Sequence, residues 1–294
     1  MREQGMADAF GVTEEARAKI NLALHVTGQR ADGYHLLDML VTFADCGDRL
    51  GFLPAPADAF TLSGRFGETL AGDGGTNLVI RARDLLREVV GALAFPVHIH
   101  LQKNLPVASG IGGGSADAAA TLRGLMRLWG TGLPVETLAA LALKLGADVP
   151  MCLESRPLIA RGIGEEIEAV PDLPALAMVL ANPLKGVSTP EVFRRLKAKN
   201  NPPLNLAQSA GWLAAIRAAR NDLEPPAREV VPEIAVISAM LQTEGALLAR
   251  MSGSGATCFG IFADMATARD AAAALHEARP DWYFQATQTV SGGI

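Results

Sequence analysis

Hydrophobic and polar positions alternate in two early stretches of the chain. Residues 20–28, INLALHVTG, place apolar side chains at every second position, a period typical of a half-buried strand. Residues 97–102, VHIHLQ, alternate as well, with His98 and His100 on the polar face. For this His-x-His pair the sequence predicts an outward polar strand face, with a metal site as the alternative.

A helical period follows a cluster of glycines. Gly110, Gly112, Gly113 and Gly114 directly precede the run SADAAATL. One face of the predicted helix carries Ala118, Leu122, Leu125, Met126 and Trp129. A helix N-terminus presents unpaired N–H groups and a partial positive charge, and glycines let a phosphate approach them. Neither G-x-x-x-x-G-K-[ST] nor G-x-G-x-x-G is present, so the segment predicts another kind of phosphate site, with a structural turn as the alternative.

The order of elements changes after about residue 170. Apolar runs and helical periods there predict strand, helix, strand, strand, helix and strand, ending in residues 282–290. This order is the ferredoxin-like arrangement, with extra helices inserted between Pro190 and Arg220. We therefore predict an α+β chain with two subdomains. Its parts are a flexible extension over 1–15, a first domain over 16–170 and a second domain over 171–294.

Composition narrows the class of protein. The chain has 294 residues, 49% of them hydrophobic and 19% charged, and a formal net charge of −5. A chain of this kind folds, and it shows no dense Lys/Arg run of the kind that nucleic-acid-binding proteins use. The widely spaced Cys46, Cys152 and Cys258 indicate reduced thiols in a cytoplasmic protein. No apolar run reaches the ~20 residues that span a bilayer.

Three separate segments together resemble the GHMP kinase superfamily. They are residues 18–40 (AKINLALHVTGQRADGYHLLDML), residues 106–119 (PVASGIGGGSADAA) and residues 251–262 (MSGSGATCFGIF). The resemblance implies a ribosomal-protein-S5-like amino-terminal half, a ferredoxin-like carboxy-terminal half, and phosphoryl transfer from ATP with Mg²⁺. The stretch GQRADGYH is most similar to members that act on a small cytidine-diphosphate-linked substrate. No nucleic-acid or membrane partner is expected.

The resemblance also implies roles for individual residues. Asp148 in LGADVP would be the general base and Lys19 its cationic partner, because an ammonium favours the ionised form of a carboxylate and stabilises a transferring phosphoryl group. The residues alone leave an Asx-type turn and a strand-end charge as alternatives, just as Asn77 could be a helix cap and Lys103 a strand-end charge. The Mg²⁺ ligands stay open. The implied ATP contacts are Asn77 and Lys103 near the adenine, and Pro106, Val107, Ala108, Ser109, Gly110, Ile111, Gly112, Gly113, Gly114, Ser115 and Ala116.

A second group of residues is implied for the substrate. Tyr34 and Phe193 would stack on the two faces of the cytosine, and His35 would hydrogen-bond its edge. Asn21 and Thr189 would add polar contacts. Packing of Tyr34 and His35 over the strand pair is the alternative. Residues 252–255 predict a second tight glycine turn beside the site.

Two rival functions remain from the sequence. One is a mevalonate- or homoserine-type kinase of the same superfamily, against which the GYH of residues 33–35 argues. The other is a non-catalytic RNA-binding module, because the first half resembles a ribosomal-protein fold. The acidic charge and the missing basic stripe argue against RNA.

Overall fold

The computed structural model of the protein describes residues 10–70, 77–107, 109–206 and 211–293. Its strands are β1 (Val12–Gln29), β2 (His35–Pro54), β3 (Ala59–Ser63), β4 (Val97–Gln102), β5 (Leu158–Gly162), β6 (Glu166–Ala169), β7 (Ala177–Asn182), β8 (Leu248–Met251), β9 (Cys258–Phe262) and β10 (Tyr283–Gln288). Its helices are α1 (Leu78–Val90), α2 (Gly113–Leu128), α3 (Val135–Leu145), α4 (Val149–Glu154), α5 (Thr189–Arg195), α6 (Trp212–Ala218), α7 (Glu224–Val230), α8 (Glu233–Thr243) and α9 (Met265–Ala278). None of these helices is long and apolar enough to cross a membrane.

The contacts divide the chain into two compact units. The first comprises Met1–Ala18, Gly47–Val107 and Gly112–Glu154. The second comprises Lys19–Cys46, Ala108–Ile111 and Ser155–Ile294. The domain boundary expected at residue 170 stays a prediction. The two compact units are each built from several separate segments of the chain.

The first unit packs helices on a small sheet. The second half of β2 pairs antiparallel with β4, from Arg49 opposite Gln102 to Pro54 opposite Val97. β4 in turn pairs parallel with β3. Helix α2 packs against α1 and α4. It also lies close to the sheet at Gly124, where an added Cβ would come within 2.3 Å of the Phe52 ring.

The polar face of β4 is satisfied by the neighbouring strand. Thr61 forms hydrogen bonds of 2.8 Å with both His98 and His100, and Ser63 forms another with His100. Phe10 stacks on the His100 ring at a centroid distance of 5.6 Å. These contacts support the polar-face interpretation of the two histidines.

The expected start of the fold near Ala16 is too late. Strand β1 begins at Val12, and Glu14 within it forms ion pairs with Arg123 and Arg127 of α2 at 3.0 and 2.7 Å. Residues 10–15 are therefore part of the first unit. The reason is a pair of long-range ion pairs that the local sequence does not reveal.

The second unit contains the ferredoxin-like arrangement. Strands β7 to β10 form a four-stranded sheet in the order β10-β7-β9-β8, and every adjacent pair is antiparallel. Along the chain the order is β7, α8, β8, β9, α9 and β10, which confirms the predicted β-α-β-β-α-β pattern. Helices α5, α6 and α7 lie within the long connection from β7 to α8. The first half of β2 pairs with β5 in this unit, and β5 pairs with β6.

Candidate active site

Three successive carbonyl groups of the glycine segment accept hydrogen bonds within the second unit. Thr257 N donates to Ser109 O at 3.1 Å, Ser252 Oγ to Gly110 O at 3.1 Å, and Lys19 N to Ile111 O at 2.9 Å. In a trans peptide the C=O and the following N–H point in opposite directions. The amides of residues 110–112 are therefore directed away from these partners, which is how a loop offers N–H groups to an anion.

The predicted second glycine turn packs directly on the first. A Cβ at Gly110 would lie 2.6 Å from the carbonyl oxygen of Gly255 and 2.7 Å from that of Ser252. In return, a Cβ at Gly253 would lie 2.6 Å from the carbonyl oxygen of Gly110. All three glycines have positive φ. Backbone thus meets backbone on both sides, and only glycine fits at the contact.

Helix α2 begins immediately after this segment. Gly112 precedes it in a left-handed conformation, with φ +63°, and Ala116 N donates to Gly112 O at 2.8 Å. Gly113, Gly114 and Ser115 precede Ala116 in the first turn, where N–H groups lack an intrahelical partner. Before the segment, Pro106 is buried and Val107 exposed. Ala108, also predicted to contact ATP, lies outside the described residues.

Lys103 is buried in an ion cluster. Its Nζ donates to Asp48 Oδ2 at 2.5 Å and to Asp117 Oδ2 at 2.6 Å, and the three side chains are 3%, 0% and 4% exposed. Burial lowers the pKa of Lys103, but the two carboxylates outweigh it and raise that pKa above its ordinary value. Burial raises the pKa of Asp117. The predicted contact of Lys103 with adenine stays a prediction, and the burial of its ammonium argues against it.

Asn77 caps helix α1. Its Oδ1 accepts a hydrogen bond from Val79 N at 2.9 Å, as expected of an N-cap asparagine. The structure therefore supports the capping interpretation, and the predicted adenine contact would have to come from the remaining donors of this amide.

The two predicted catalytic residues belong to different units. Lys19 lies in the second unit on β1 and is 3% exposed. Asp148 lies in the first unit, half-buried, in a turn directly before α4. Its carbonyl accepts a hydrogen bond from Cys152 N at 3.1 Å, so its backbone starts the helix.

Strand β1 carries Asn21 two residues after Lys19. Asn21 N donates to Ser252 Oγ at 3.0 Å. Its side chain is fully buried, and Oδ1 has no hydrogen-bond partner among the described residues. A buried amide oxygen without a donor costs free energy, so this atom is a candidate acceptor for a ligand.

Two of the predicted substrate residues touch. The rings of His35 and Phe193 stack at a centroid distance of 4.5 Å and an interplanar angle of 23°. Tyr34 beside them is 60% exposed. Burial and then Lys199 lower the pKa of His35 from its ordinary 6.5. Its Nε2 is buried and has no hydrogen-bond partner among the described residues.

The observed ring pair, His35 and Phe193, differs from the pair that the sequence predicts. The sequence predicts cytosine between Tyr34 and Phe193, and that sandwich stays a prediction. The rings in contact are those of His35 and Phe193, and at 4.5 Å they leave no space for a base between them.

Thr189 connects the substrate residues to the second glycine turn. Its hydroxyl and that of Ser254 are 2.7 Å apart. Thr189 is the first residue of α5, the helix that also carries Phe193.

Sequence reasoning missed two buried residues beside the predicted site. Asn221 Nδ2 donates to Met251 O and Gly253 O at 2.8 and 2.9 Å, and so holds the second glycine turn. Asp48 accepts hydrogen bonds from Asn104 N and Leu105 N, just before the glycine segment. No local signal marks Asp48, because it follows Gly47 and precedes Arg49 in a polar part of β2.

Family models match both halves of the chain. The model described as "GHMP kinases N terminal domain" matches residues 77–156, and that described as "GHMP kinases C terminal" matches residues 203–281.

Similar proteins extend over the whole chain. It is 92% identical over 294 residues to a 4-diphosphocytidyl-2-C-methyl-D-erythritol kinase of Rhizobium etli, with 100% of each chain covered. It is 87% identical over 298 residues to a protein of the same description from Rhizobium leguminosarum bv. trifolii, again with 100% of each covered. A crystal structure of 4-(cytidine 5'-diphospho)-2C-methyl-D-erythritol kinase matches with a TM-score of 0.79 at 34% identity, covering 94% of this chain and 98% of the other.

Proposed function

This chain belongs to the GHMP kinases, and on that premise we propose that it transfers the terminal phosphoryl group of ATP to 4-diphosphocytidyl-2-C-methyl-D-erythritol. The acceptor is the 2-hydroxyl of the methylerythritol, and the product serves isoprenoid biosynthesis by the non-mevalonate route. The enzyme is an ATP-dependent small-molecule kinase, as its relatives are.

We propose that the triphosphate of ATP binds at the glycine segment. The outward amides of residues 110–112 and the first turn of α2 supply N–H donors. Main-chain N–H groups suit a polyphosphate because they need no side chain between donor and oxygen. The remaining predicted contacts with ATP, from Asn77 to Ala116, belong to this proposal.

Phosphoryl transfer then needs a proton acceptor and a positive charge. In our proposal the substrate hydroxyl oxygen bonds to the γ-phosphorus, the bond to the β,γ-bridging oxygen breaks, and ADP leaves. The hydroxyl proton passes to the carboxylate of Asp148. Lys19 supplies the positive charge that stabilises the developing charge on the phosphoryl oxygens.

The cytidylyl group is assigned to the ring pair. Nε2 of His35 faces no donor or acceptor among the described residues, and an imidazole edge can hydrogen-bond the edge of a pyrimidine. Phe193 and Tyr34 offer aromatic faces for stacking. Asn21 and Thr189 supply further polar contacts. The stacked and partly buried His35 is the observation that carries the substrate assignment.

Mg²⁺ would accompany ATP. Among the described residues, no three His, Cys, Asp or Glu side chains converge as a metal site. Mg²⁺ usually keeps several waters and is held largely by substrate phosphates. We therefore expect the ion to arrive with the nucleotide. When bound, it neutralises phosphate charge.

A coupled ADP-release assay tests the function. We expect turnover with 4-diphosphocytidyl-2-C-methyl-D-erythritol and at least 100-fold lower kcat/KM with mevalonate or homoserine, because one buried polar group without its partner costs about 1–3 kcal/mol and the cytidylyl group makes several such contacts. Equal turnover of mevalonate or homoserine would contradict the substrate assignment.

A further inference from the structure

The buried cluster of Asp48, Lys103 and Asp117 connects the two ends of the glycine segment. Lys103 directly follows β4 and precedes the segment, whereas Asp117 lies in α2, which follows it. The Lys103 ammonium donates to both carboxylates, at 2.5 and 2.6 Å. The cluster therefore ties the strand that enters the segment to the helix that leaves it.

Asp48 does more than balance charge. Its Oδ2 accepts from Lys103, while its Oδ1 accepts from the backbone amides of Asn104 and Leu105 at 2.6 and 2.8 Å. Lys103 N is held separately by Ser63 O at 2.8 Å. Three consecutive residues before Pro106 are thus fixed through their main chain, two of them by this one carboxylate.

Helix α2 is fitted closely over the cluster. A Cβ at Gly113 would lie 3.1 Å from Lys103 Nζ and 3.7 Å from Asp48 Oδ2. The first residue of the helix therefore lies close to the ammonium, and a side chain there would displace the ammonium by a few tenths of an ångström. The glycine at this position is explained by the cluster beneath it.

Stability alone explains such a cluster poorly. Two carboxylates and one ammonium are taken out of water, and replacing buried ion pairs by apolar groups is often neutral or stabilising. What the charges provide is a fixed geometry. A misplacement of about 1 Å of groups that position a substrate can cost roughly 10²-fold in rate.

We propose that Asp48 is a positioning residue for phosphoryl transfer, which fixes the glycine segment through Lys103 and the amides of Asn104 and Leu105. The inference rests on the proposed function, in which this segment binds ATP. Because it concerns the nucleotide and not the cytidylyl group, it predicts that loss of Asp48 raises the KM for ATP and leaves the KM for the cytidylyl substrate nearly unchanged.

The test compares Asp48→Asn with Asp58→Asn. Asp58 is a matched control, because its carboxylate also pairs with cations, Arg87 at 2.6 Å and Arg83 at 3.6 Å, and accepts from one backbone amide, Val97 N at 3.0 Å, at the opposite end of β4. For Asp48→Asn we expect the KM for ATP and the Kd of a non-hydrolysable ATP analogue to rise at least 10-fold. The KM for the cytidylyl substrate should change less than 3-fold. For Asp58→Asn both KM values should change less than 3-fold.

A second variant covers the case in which Asp48→Asn does not fold. Gly113→Ala leaves every charge in place but directs a methyl group at Lys103 Nζ, so it should raise the KM for ATP in the same selective way. Wild-type ATP affinity in Gly113→Ala, or equal KM changes in the Asp48 and Asp58 variants, would overturn the inference. Wild-type protein that releases no ADP with the cytidylyl substrate would instead refute the proposed function.

Discussion

Replacing Gly110 by alanine should damage ATP turnover far more than its size suggests. The added Cβ would lie 2.6 Å from Gly255 O and 2.7 Å from Ser252 O. These are main-chain atoms, which cannot rotate aside as a side chain can. A shift of roughly 0.8 Å is needed before the closer contact reaches an ordinary distance of about 3.4 Å.

Two costs add up in this variant. Gly110 has φ +73°, and a left-handed conformation costs an alanine about 1–2 kcal/mol. Overpacking adds about 1–3 kcal/mol, so the loss of unfolding free energy should be roughly 2–5 kcal/mol. Because the amides of residues 110–112 move with the main chain, a shift approaching 1 Å should lower kcat/KM for ATP by about 10²-fold.

Gly245→Ala separates the two costs. Gly245 has φ +88°, and a Cβ there would meet nothing within 4 Å. This variant should incur only the conformational cost, which lowers the free energy of unfolding by about 1–2 kcal/mol, and it should keep wild-type kinetics. Thermal unfolding measures the first effect, and coupled ADP release measures the second.

Gly253→Ala examines the same contact from its other side. Its Cβ would lie 2.6 Å from Gly110 O, so it should reproduce the ATP defect although Gly253 is not among the proposed ATP contacts. Wild-type kcat/KM in folded Gly110→Ala would refute the reasoning, since the segment would then tolerate a displacement that should misplace the phosphates.

Further predictions concern single residues. Asp148→Asn should lower kcat by about 10²–10⁴-fold without changing the circular dichroism spectrum, and near-normal turnover would remove it from the mechanism. Tyr34→Ala should raise the KM for the cytidylyl substrate about 5- to 150-fold, the equivalent of about 1–3 kcal/mol of stacking, with little effect on the KM for ATP; equal effects on both would count against stacking. Asn221→Ala should raise the KM for ATP by about tenfold, since about 1–3 kcal/mol is lost when buried carbonyls lose their donor. His25 accepts from Arg220 N, and burial and Arg220 lower its pKa from 6.5, so the fold favours the neutral ring. Its contribution to stability should be present above pH 6.5 and be lost as the pH falls below it; urea midpoints should show this decline in the wild type and less of it in His25→Gln.

Local patterns were sufficient to predict much of the fold. Alternation predicted β4, and helical spacing predicted α2, because each signal lies within a few consecutive residues. The ferredoxin-like order of β7 to β10 also follows from a succession of local periods. The fold and the glycine segment could therefore be predicted before any contact was known.

Contacts between distant residues could not be predicted in this way. Asp48 binds the amide of Leu105, and 57 positions separate them. Asn221 binds a carbonyl 32 positions away. A carboxylate or amide that serves distant main chain leaves no period in the sequence. The strand-end position of Lys103 could therefore be read from the sequence, but its place between two acids could not. The early start of β1 was missed for the same reason.

The three family segments are informative together because they are in contact. Within the second unit, Lys19 N of the first segment binds Ile111 O of the second, and Asn21 N binds Ser252 Oγ of the third. Ser252 Oγ then binds Gly110 O, across 142 positions. Each segment restricts the residue types that the others can carry. A residue larger than glycine at Gly110 or Gly253 would break the backbone contact between the second and third segments. The order and wide separation of the segments therefore reflect one hydrogen-bonded network around the proposed triphosphate site.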